Sequence, residues 1–322
     1  MPLGTVDGEN LYVVQKAYRD VEHFESDLRK ATDVRLIQLE TSSFQGNLSL
    51  IKFPLGEISF AEMNSPVRVL GFKEQDYAIF CFSLRSKEAP VLSHTAETSE
   101  KTMFGFDPNR SVRLLLPRKS LLVTVKVKRS HFNDCLEVMD RDDLGERFFT
   151  QNLVHCPEAM PIVHDYLRSL QWYLQNPKKS VIVPNLENLL LGDLLPLIIS
   201  AIPPVLSSSR PPGQSIRKDT FNQVEDYIIE HIEKPLTLKE LCEKFHFDKR
   251  TLFYSFQDYV GMGPMAYLKH LRLHTIRRTL TQSTPQKGLV AKLAGHYGFY
   301  NTGHFAKDYQ SLFGELPSET LY

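Results

Sequence analysis

Residues 252–264, LFYSFQDYVGMGP, and residues 305–317, FAKDYQSLFGELP, carry the same pattern of side chains at an offset of 53 positions. Five positions match in register: Leu252, Phe256, Gln257, Gly261 and Pro264 recur as Phe305, Tyr309, Gln310, Gly314 and Pro317. Upstream of each copy, Leu238, Leu241 and Cys242 recur as Val290, Leu293 and Ala294, here at an offset of 52. Such self-similarity indicates a duplicated structural unit. The change of offset by one residue predicts a turn between the two parts of each unit.

Each copy therefore predicts a short helix, a turn and a second helix. In the first copy, Thr237 followed three residues later by Glu240 has the pattern of a capping box, and Asp248 is placed to cap the next helix. In the second copy, Gly298 allows the turn and Asn301 is placed as the cap. The two motifs are expected at about residues 237–260 and 286–313.

A small residue stands in the first helix of each pair, at Cys242 and at Ala294. A larger side chain there would push the helices apart, so the pattern suits the tight crossing of a DNA-binding helix-turn-helix. An ordinary helical bundle could produce one such pattern. Two in tandem favour DNA binding.

Residues 293–301, LAGHYGFYN, followed by Phe305, Tyr309, Gly314 and Pro317, resemble the second motif of the AraC/XylS family of transcription regulators. The resemblance covers about the last hundred residues, and it includes the helix that joins the two motifs in that family, from Pro264 to Leu280. It implies an all-α DNA-binding domain over residues 218–322 with double-stranded DNA as its partner. It also implies a homodimer, a small-molecule effector and contact with RNA polymerase.

If Leu252 and Phe256 face the core, the residues predicted to face the first DNA groove are Lys249, Arg250, Tyr254 and Gln257. For the second groove the corresponding residues are Asn301, Thr302, Gly303, His304 and Lys307. Arginine and lysine can donate to guanine, glutamine can pair with adenine, and tyrosine or threonine can reach a phosphate or a thymine methyl group. The alternative for each is an ordinary solvated surface side chain.

Some positions depart from the family pattern. Tyr254 and Lys307 stand where arginine is common, and Gly303 stands where serine is common. Base preference therefore cannot be carried over, and Gly303 is expected to loosen the second helix-turn-helix. Arg272 matches the family's arginine in the joining helix, where a buried structural ion pair is expected.

The composition limits which other classes of protein the sequence can represent. The 322 residues are 42% hydrophobic and 24% charged, which is typical of a soluble globular protein of two or more domains. No apolar run reaches the length of a membrane span and no secretion signal is recognisable, so a cytoplasmic protein without a membrane partner is expected. The four cysteines show no metal-ligand spacing and are expected to be free thiols. Net charge is zero, and residues 215–322 carry only +2, so the DNA prediction depends on the repeat.

Eight short β-type runs lie between residues 34 and 128, and they favour a sandwich or a barrel. A barrel would resemble the cupin-like sensor barrels of the family, and it would be either hollow with a ligand pocket or filled. Only His94 lies between residues 24 and 130, which is too few ligands for a metal site. Because no catalytic motif is recognisable either, neither an enzyme nor a cofactor is expected.

Helices are predicted over about residues 130–202, and they complete a sensor or dimerisation region spanning residues 1–202. The apolar helices Glu158–Gln175 and Leu186–Ile202 either pack within this region or form a dimer interface. Residues 203–217, rich in proline and serine, predict a linker. The predicted fold class is therefore α+β, with an N-terminal cupin-like β-barrel over about residues 34–128 and helices after it, followed by an all-α domain with two helix-turn-helix motifs. The expected function is sequence-specific transcription regulation, and the alternative is a sensor or interaction protein that has lost DNA binding.

Overall fold

The computed structural model describes residues 12–86, 88–176, 190–203 and 216–322. Contacts between residues divide the chain into two units. The first comprises Met1–Arg35, Phe44–Asn64 and Val69–Ser208, and the second comprises Leu36–Ser43, Ser65–Arg68 and Ser209–Tyr322. Two short segments of the N-terminal half are therefore counted with the C-terminal helices.

All eight predicted strands are present, and most of their ends lie within one or two residues of the ends of the β-type runs. The strands are β1 (Tyr12–Tyr18), β2 (Val34–Gln38), β3 (Gly46–Phe53), β4 (Gly56–Met63), β5 (Val67–Gly71), β6 (Tyr77–Arg85), β7 (Leu92–Ser93), β8 (Ala96–Glu97), β9 (Thr102–Phe104), β10 (Val112–Leu116), β11 (Ser120–Lys128) and β12 (Leu153–His155). The sequence missed β1, the short hairpin β7–β8, and β12.

The strands form two sheets. A seven-stranded sheet has the order β1-β3-β4-β11-β6-β9-β12, and a five-stranded sheet has the order β2-β5-β10-β7-β8. The centre of the larger sheet is antiparallel, with Val123 of β11 opposite Phe60 of β4 and Phe82 of β6. Neither order closes on itself, so the sheet-rich region is present and the cupin-like barrel is not confirmed.

The two faces of the larger sheet differ in chemistry. One face is aromatic and aliphatic, and it forms one core with the helices that follow the sheet. It includes Phe60, Phe80, Phe82 and Val125, each 3% exposed or less. Residues alternate between faces along a strand, so the opposite face carries the intervening residues. These include small or polar residues, most of them buried, beside the buried aliphatic residues Leu48, Leu50, Ile79 and Leu122. The small or polar residues are Ser59, Ala61, Cys81, Ser83 and Thr124.

The described helices of the first unit lie within the predicted range of about residues 130–202, apart from one short helix near the N-terminus. They are α1 (Val21–Leu28), α2 (Arg129–Val138), α3 (Glu146–Phe149), α4 (Met160–Gln175) and α5 (Leu195–Ala201). A turn of π-helix over Leu190–Leu194 leads into α5. The start of the predicted Leu186–Ile202 helix and nearly all of the predicted linker lie outside the described residues.

The second unit is helical. Its helices are α6 (Ile216–Glu230), α7 (Leu238–Phe245), α8 (Lys249–Val260), α9 (Pro264–Gln282), α10 (Leu289–His296), α11 (Thr302–Phe313) and α12 (Pro317–Leu321). The first helix-turn-helix is α7 and α8, and the second is α10 and α11. Helix α9 joins them, as the sequence predicted.

A buried ion pair and a hydrogen bond meet at Glu225 of α6 within this unit. The guanidinium of Arg68 donates to both carboxylate oxygens of Glu225, at 2.9 and 2.6 Å, and both side chains are 1% exposed or less. The hydroxyl of Tyr267 donates to the same carboxylate at 2.7 Å. Burial raises the pKa of Tyr267, so its proton is retained for this bond. Removing either Arg68 or Glu225 would take this buried counter-ion away from the other.

Charged residues on the sheet are paired as well. Lys126 lies within 2.9 Å of Glu57 and 2.8 Å of Glu74, and it also donates to the carbonyl oxygen of Ala31. The four cysteines are free, as predicted, and burial raises the pKa of Cys81 and Cys156 to about 11. Across the described ranges, no helix combines the length and apolarity that crossing a membrane requires.

Candidate nucleic-acid interface

The first helix-turn-helix is fixed by side-chain caps at both helix starts. At α7, Thr237 Oγ1 accepts from the Glu240 amide at 3.2 Å, and Glu240 Oε2 accepts from the Thr237 amide at 2.7 Å. At α8, Asp248 Oδ1 accepts from the Thr251 amide at 2.8 Å. The hydrogen bond from the Thr251 hydroxyl is the main cause that lowers the pKa of Asp248. Both predicted caps are therefore confirmed.

The inward side of α8 is completely buried. Leu252 and Phe256 are 0% exposed, and the ring of Phe256 packs 4.9 Å from Phe221 of α6 and 5.7 Å from Tyr267 of α9. This aromatic packing determines which side of α8 remains for solvent or a partner.

The four residues predicted for the first groove are exposed on the other side of α8: Lys249, Arg250, Tyr254 and Gln257. The guanidinium of Arg250 lies 5.6 Å from the ring centre of Tyr254, a cation–π distance. Gln257 Nε2 donates to the carbonyl oxygen of Gly261 at 3.0 Å, so part of its amide is already engaged at the helix end.

The second helix-turn-helix repeats the inward packing. Gly298 in the turn has φ +80°, a conformation that glycine adopts without strain. Asn301 caps α11, since its Oδ1 accepts from the His304 amide at 3.0 Å. Phe305, Tyr309 and Leu312 are buried in one cluster with residues of α9 and α10. The first helix of this pair, α10, begins at Gly288 without a side-chain cap.

The outward side of α11 carries the residues predicted for the second groove. They are all exposed: Asn301, Thr302, Gly303, His304 and Lys307. The carboxamide oxygen of Asn301 is engaged as the cap, while Lys307 stands one helical turn further along. The neighbouring Asp308 is 3.0 Å from Lys269 of α9. No comparison or contact tests whether these side chains meet DNA, so their roles stay predictions.

Arg272 of α9 differs from the expectation of a buried ion pair. Its Nε donates to the carbonyl oxygen of Ile232 at 2.8 Å, and its Nη2 donates to that of Lys234 at 2.5 Å. Both acceptors lie in the turn between α6 and α7. The side chain therefore binds backbone near the first helix-turn-helix.

Two exposed aromatic residues were not singled out from the sequence. Phe253, 46% exposed, follows Leu252 on α8 and flanks the outward side that carries Arg250 and Gln257. Tyr300, 83% exposed, directly precedes the cap of α11. A projection of α8 at 100° per residue places Phe253 about 60° from Arg250. That signal was available in the sequence, but Phe253 could equally have been part of the core.

The exposed groups of both motifs are donors, aromatic rings and a few acceptors. These groups suit contacts to phosphates and base edges. Among the described residues, no set of three or more His, Cys, Asp or Glu side chains is placed to hold a metal ion.

The comparisons with known proteins agree with this geometry. Residues 241–321 match the family model described as a helix-turn-helix domain. The chain is 35% identical over 101 residues to "XylDLEGF operon transcriptional activator 2" of Pseudomonas putida, covering 31% of this chain and 64% of that protein. It is also 35% identical over 102 residues to "XylDLEGF operon transcriptional activator 1" of the same species, covering 32% and 31% of the two chains.

Among solved structures, the chain is similar to one described as "a probable AraC family transcriptional regulator" from Rhodopseudomonas palustris. The two are 39% identical over 32% of this chain and 94% of that chain, with a TM-score of 0.30. A score so low supports no argument about the overall arrangement. The matches to the activators span less than two thirds of those proteins, and they involve about one third of this chain.

Proposed function

Because residues 241–321 belong to the AraC/XylS family of transcription regulators, we propose that the whole chain is a sequence-specific DNA-binding regulator of transcription that answers to a small molecule. The observation that carries this proposal is the pair of helices α8 and α11, which bury equivalent side chains and expose polar ones. Helix α9, 19 residues long, spans about 28 Å at 1.5 Å per residue. That length is compatible with two recognition helices in successive major grooves.

In the first groove, Arg250 and Lys249 supply the charged donors, and Tyr254 supports the Arg250 guanidinium. Gln257 retains its carboxamide oxygen as an acceptor. Phe253 adds an apolar surface, which suits the methyl group of thymine. In the second groove, Lys307, Thr302 and His304 are the donors, and Gly303 lets the backbone approach the DNA.

The N-terminal unit is proposed to hold the effector, within a cupin-like arrangement of its two sheets. The support is the contrast between the faces of the larger sheet. The face toward the helices is filled by phenylalanine rings, while the opposite face carries Ser59, Ala61, Ser83 and Thr124. Ligand sites commonly combine a mostly apolar enclosure with a few polar groups of this kind.

We also propose that the protein acts in the cytoplasm as a homodimer and contacts RNA polymerase. Helix α4 buries Val163 and Leu167 yet exposes Ile162, Trp172 and Tyr173. Exposed apolar side chains on one helix suit an interface between subunits. The relatives are transcriptional activators rather than enzymes by name, so binding rather than catalysis is proposed.

The DNA-binding proposal is tested with fragments selected from genomic DNA by the purified chain. Arg250→Ala and Lys307→Ala should each lower affinity for a selected operator by about tenfold, as expected for one base or phosphate contact. The slope of log Kd against log salt should also become shallower by about one for each lost phosphate contact. Lys239→Ala, which removes an exposed charge on α7, is the matched control.

If the chain selects no fragment above background, it is better described as a sensor or interaction protein that has lost DNA binding. If fragments are selected and neither substitution changes affinity, Arg250 and Lys307 do not belong to the interface. The effector proposal has a separate test. A small molecule found by thermal-shift screening should lose its stabilising effect in Ser83→Leu or Thr124→Leu, which fill the polar face. Turnover of the molecule would instead indicate an enzyme.

A further inference from the structure

The turn between α6 and α7, which leads into the first helix-turn-helix, packs against the core of the second. Ile232 in this turn contacts the cluster formed by Leu273 and Ile276 of α9, Ala294 of α10 and Tyr297. The two helix-turn-helix motifs therefore share more than the helix that joins them. Residues 232–234 form a second connection between them.

Arg272 lies at the centre of this connection. Its Nε and Nη2 hold the carbonyl oxygens of Ile232 and Lys234 at 2.8 and 2.5 Å. Its third nitrogen, Nη1, is 3.2 Å from the position that a Cβ atom on Gly298 would occupy. One planar guanidinium thus binds the turn before the first motif and lies beside the turn inside the second.

Two other charged contacts near this connection are exposed and weaker. His296 at the end of α10 lies 3.3 Å from Glu233, and Lys269 lies 3.0 Å from Asp308 of α11. More than half of the His296 and Glu233 side chains is exposed to solvent. Exposed ion pairs contribute little to stability, whereas the fork of an arginine makes two directed bonds with a fixed geometry.

We propose that Arg272 is a positioning residue that fixes the two helix-turn-helix motifs relative to each other and so selects the separation of the two DNA half-sites. The inference rests on the proposed DNA binding. Inserting one base pair between half-sites moves the second by about 3.4 Å and rotates it by about 35°. A rigid connection rejects such an operator, because the second recognition helix no longer meets its groove. A connection released from Arg272 accepts it more readily.

The test compares the full chain with Arg272→Ala on a selected operator and on derivatives with one or two base pairs inserted or deleted between half-sites. For the unmodified chain we expect the best operator to be preferred over the one-base-pair derivatives by at least about tenfold. In Arg272→Ala this preference should fall by about tenfold or disappear. Lys239→Ala removes the same charge from a site away from the connection, and it should retain the full preference.

The readout is the ratio of two Kd values, so a partly unfolded variant, which weakens binding to every operator equally, leaves it unchanged. If Arg272→Ala does not fold by circular dichroism, Arg272→Lys takes its place, since lysine lacks the fork that holds both carbonyls. An unchanged ratio in a folded Arg272 variant overturns the inference. If the unmodified chain selects no operator from genomic DNA, that result contradicts the proposed function instead.

Discussion

The two helix-turn-helix motifs bury equivalent side chains on their inward sides but expose different side chains on their outward sides. Leu252 and Phe256 of α8 are buried as Phe305 and Tyr309 of α11 are, and an N-cap side chain starts both helices. Outward, however, Arg250 in the first motif corresponds to Gly303 in the second at the offset of 53. The difference teaches that the repeat kept the packing that makes the fold, while the outward surface, which is proposed to meet DNA, differs between the two copies.

The largest expected difference concerns the small residue at each helix crossing. Ala294 is 0% exposed, whereas Cys242 is only partly buried. Ala294→Leu should lower the free energy of unfolding by about 1–3 kcal/mol, because the added carbons have no space. Cys242→Leu should cost less than about 1 kcal/mol, since its side chain can turn toward solvent. Urea denaturation measures both, and equal losses would show that the crossings are equivalent after all.

The next comparison sets Phe253 against Ala306, its counterpart in α11. If Phe253 contacts a thymine methyl group, replacing that thymine by deoxyuridine removes about one buried carbon, about 0.8 kcal/mol or fourfold in Kd. Phe253→Ala should abolish this sensitivity to deoxyuridine. The measurement is a scan of single deoxyuridine substitutions across the first half-site. Equal sensitivity in the unmodified and Phe253→Ala chains would remove Phe253 from the interface.

A smaller effect is expected at Gly303. A Cβ atom added there would meet only Asn301 Oδ1, at an ordinary contact distance of 3.4 Å. Gly303→Ala should stabilise the second motif by about 0.5 kcal/mol, because alanine loses less conformational freedom in a helix. Slower amide hydrogen exchange in α11, with α8 unchanged, would verify this. Faster exchange in α11 would mean that the glycine is required where it stands.

The smallest expected effect is a pH response confined to the first motif. Hydrogen bonding lowers the pKa of Asp248, so this cap stabilises α8 above the ordinary aspartate pKa of about 3.9 and loses that contribution as the pH falls through the lowered value. Asn301 caps α11 without an ionisable group. The NMR shift of the Thr251 amide should titrate in this acid range and should stop doing so in Asp248→Asn. A titration that persists in the variant would assign it elsewhere.

Periodicity and capping chemistry made much of the fold predictable. The repeat located α7, α8, α10 and α11, and alternation of apolar residues located eight strands, because both signals are local. Strand β1 was missed, because the residues that precede it in the sequence are mostly polar and do not predict a strand. The predicted closure of the strands into a barrel is not confirmed, because closure depends on pairing between distant strands, which local patterns do not encode.

Contacts between residues that are far apart in the sequence could not be predicted either. Arg68 lies on a predicted strand, yet its partner Glu225 is 157 positions away along the chain. Arg272 was expected to find a carboxylate and instead binds two carbonyl groups, which every residue possesses and no sequence pattern marks. The outward residues of α8 and α11 were located correctly as exposed, because their buried neighbours determine which side remains.

Hydroxyl-radical footprinting of the full chain on a fragment selected from genomic DNA tests the central claim most directly. Two protected segments on one face of the duplex, centred about one helical turn apart, are the predicted result. Lys307→Ala should weaken protection of one segment and Arg250→Ala that of the other. A single protected segment that responds to only one of these substitutions would contradict binding by paired motifs.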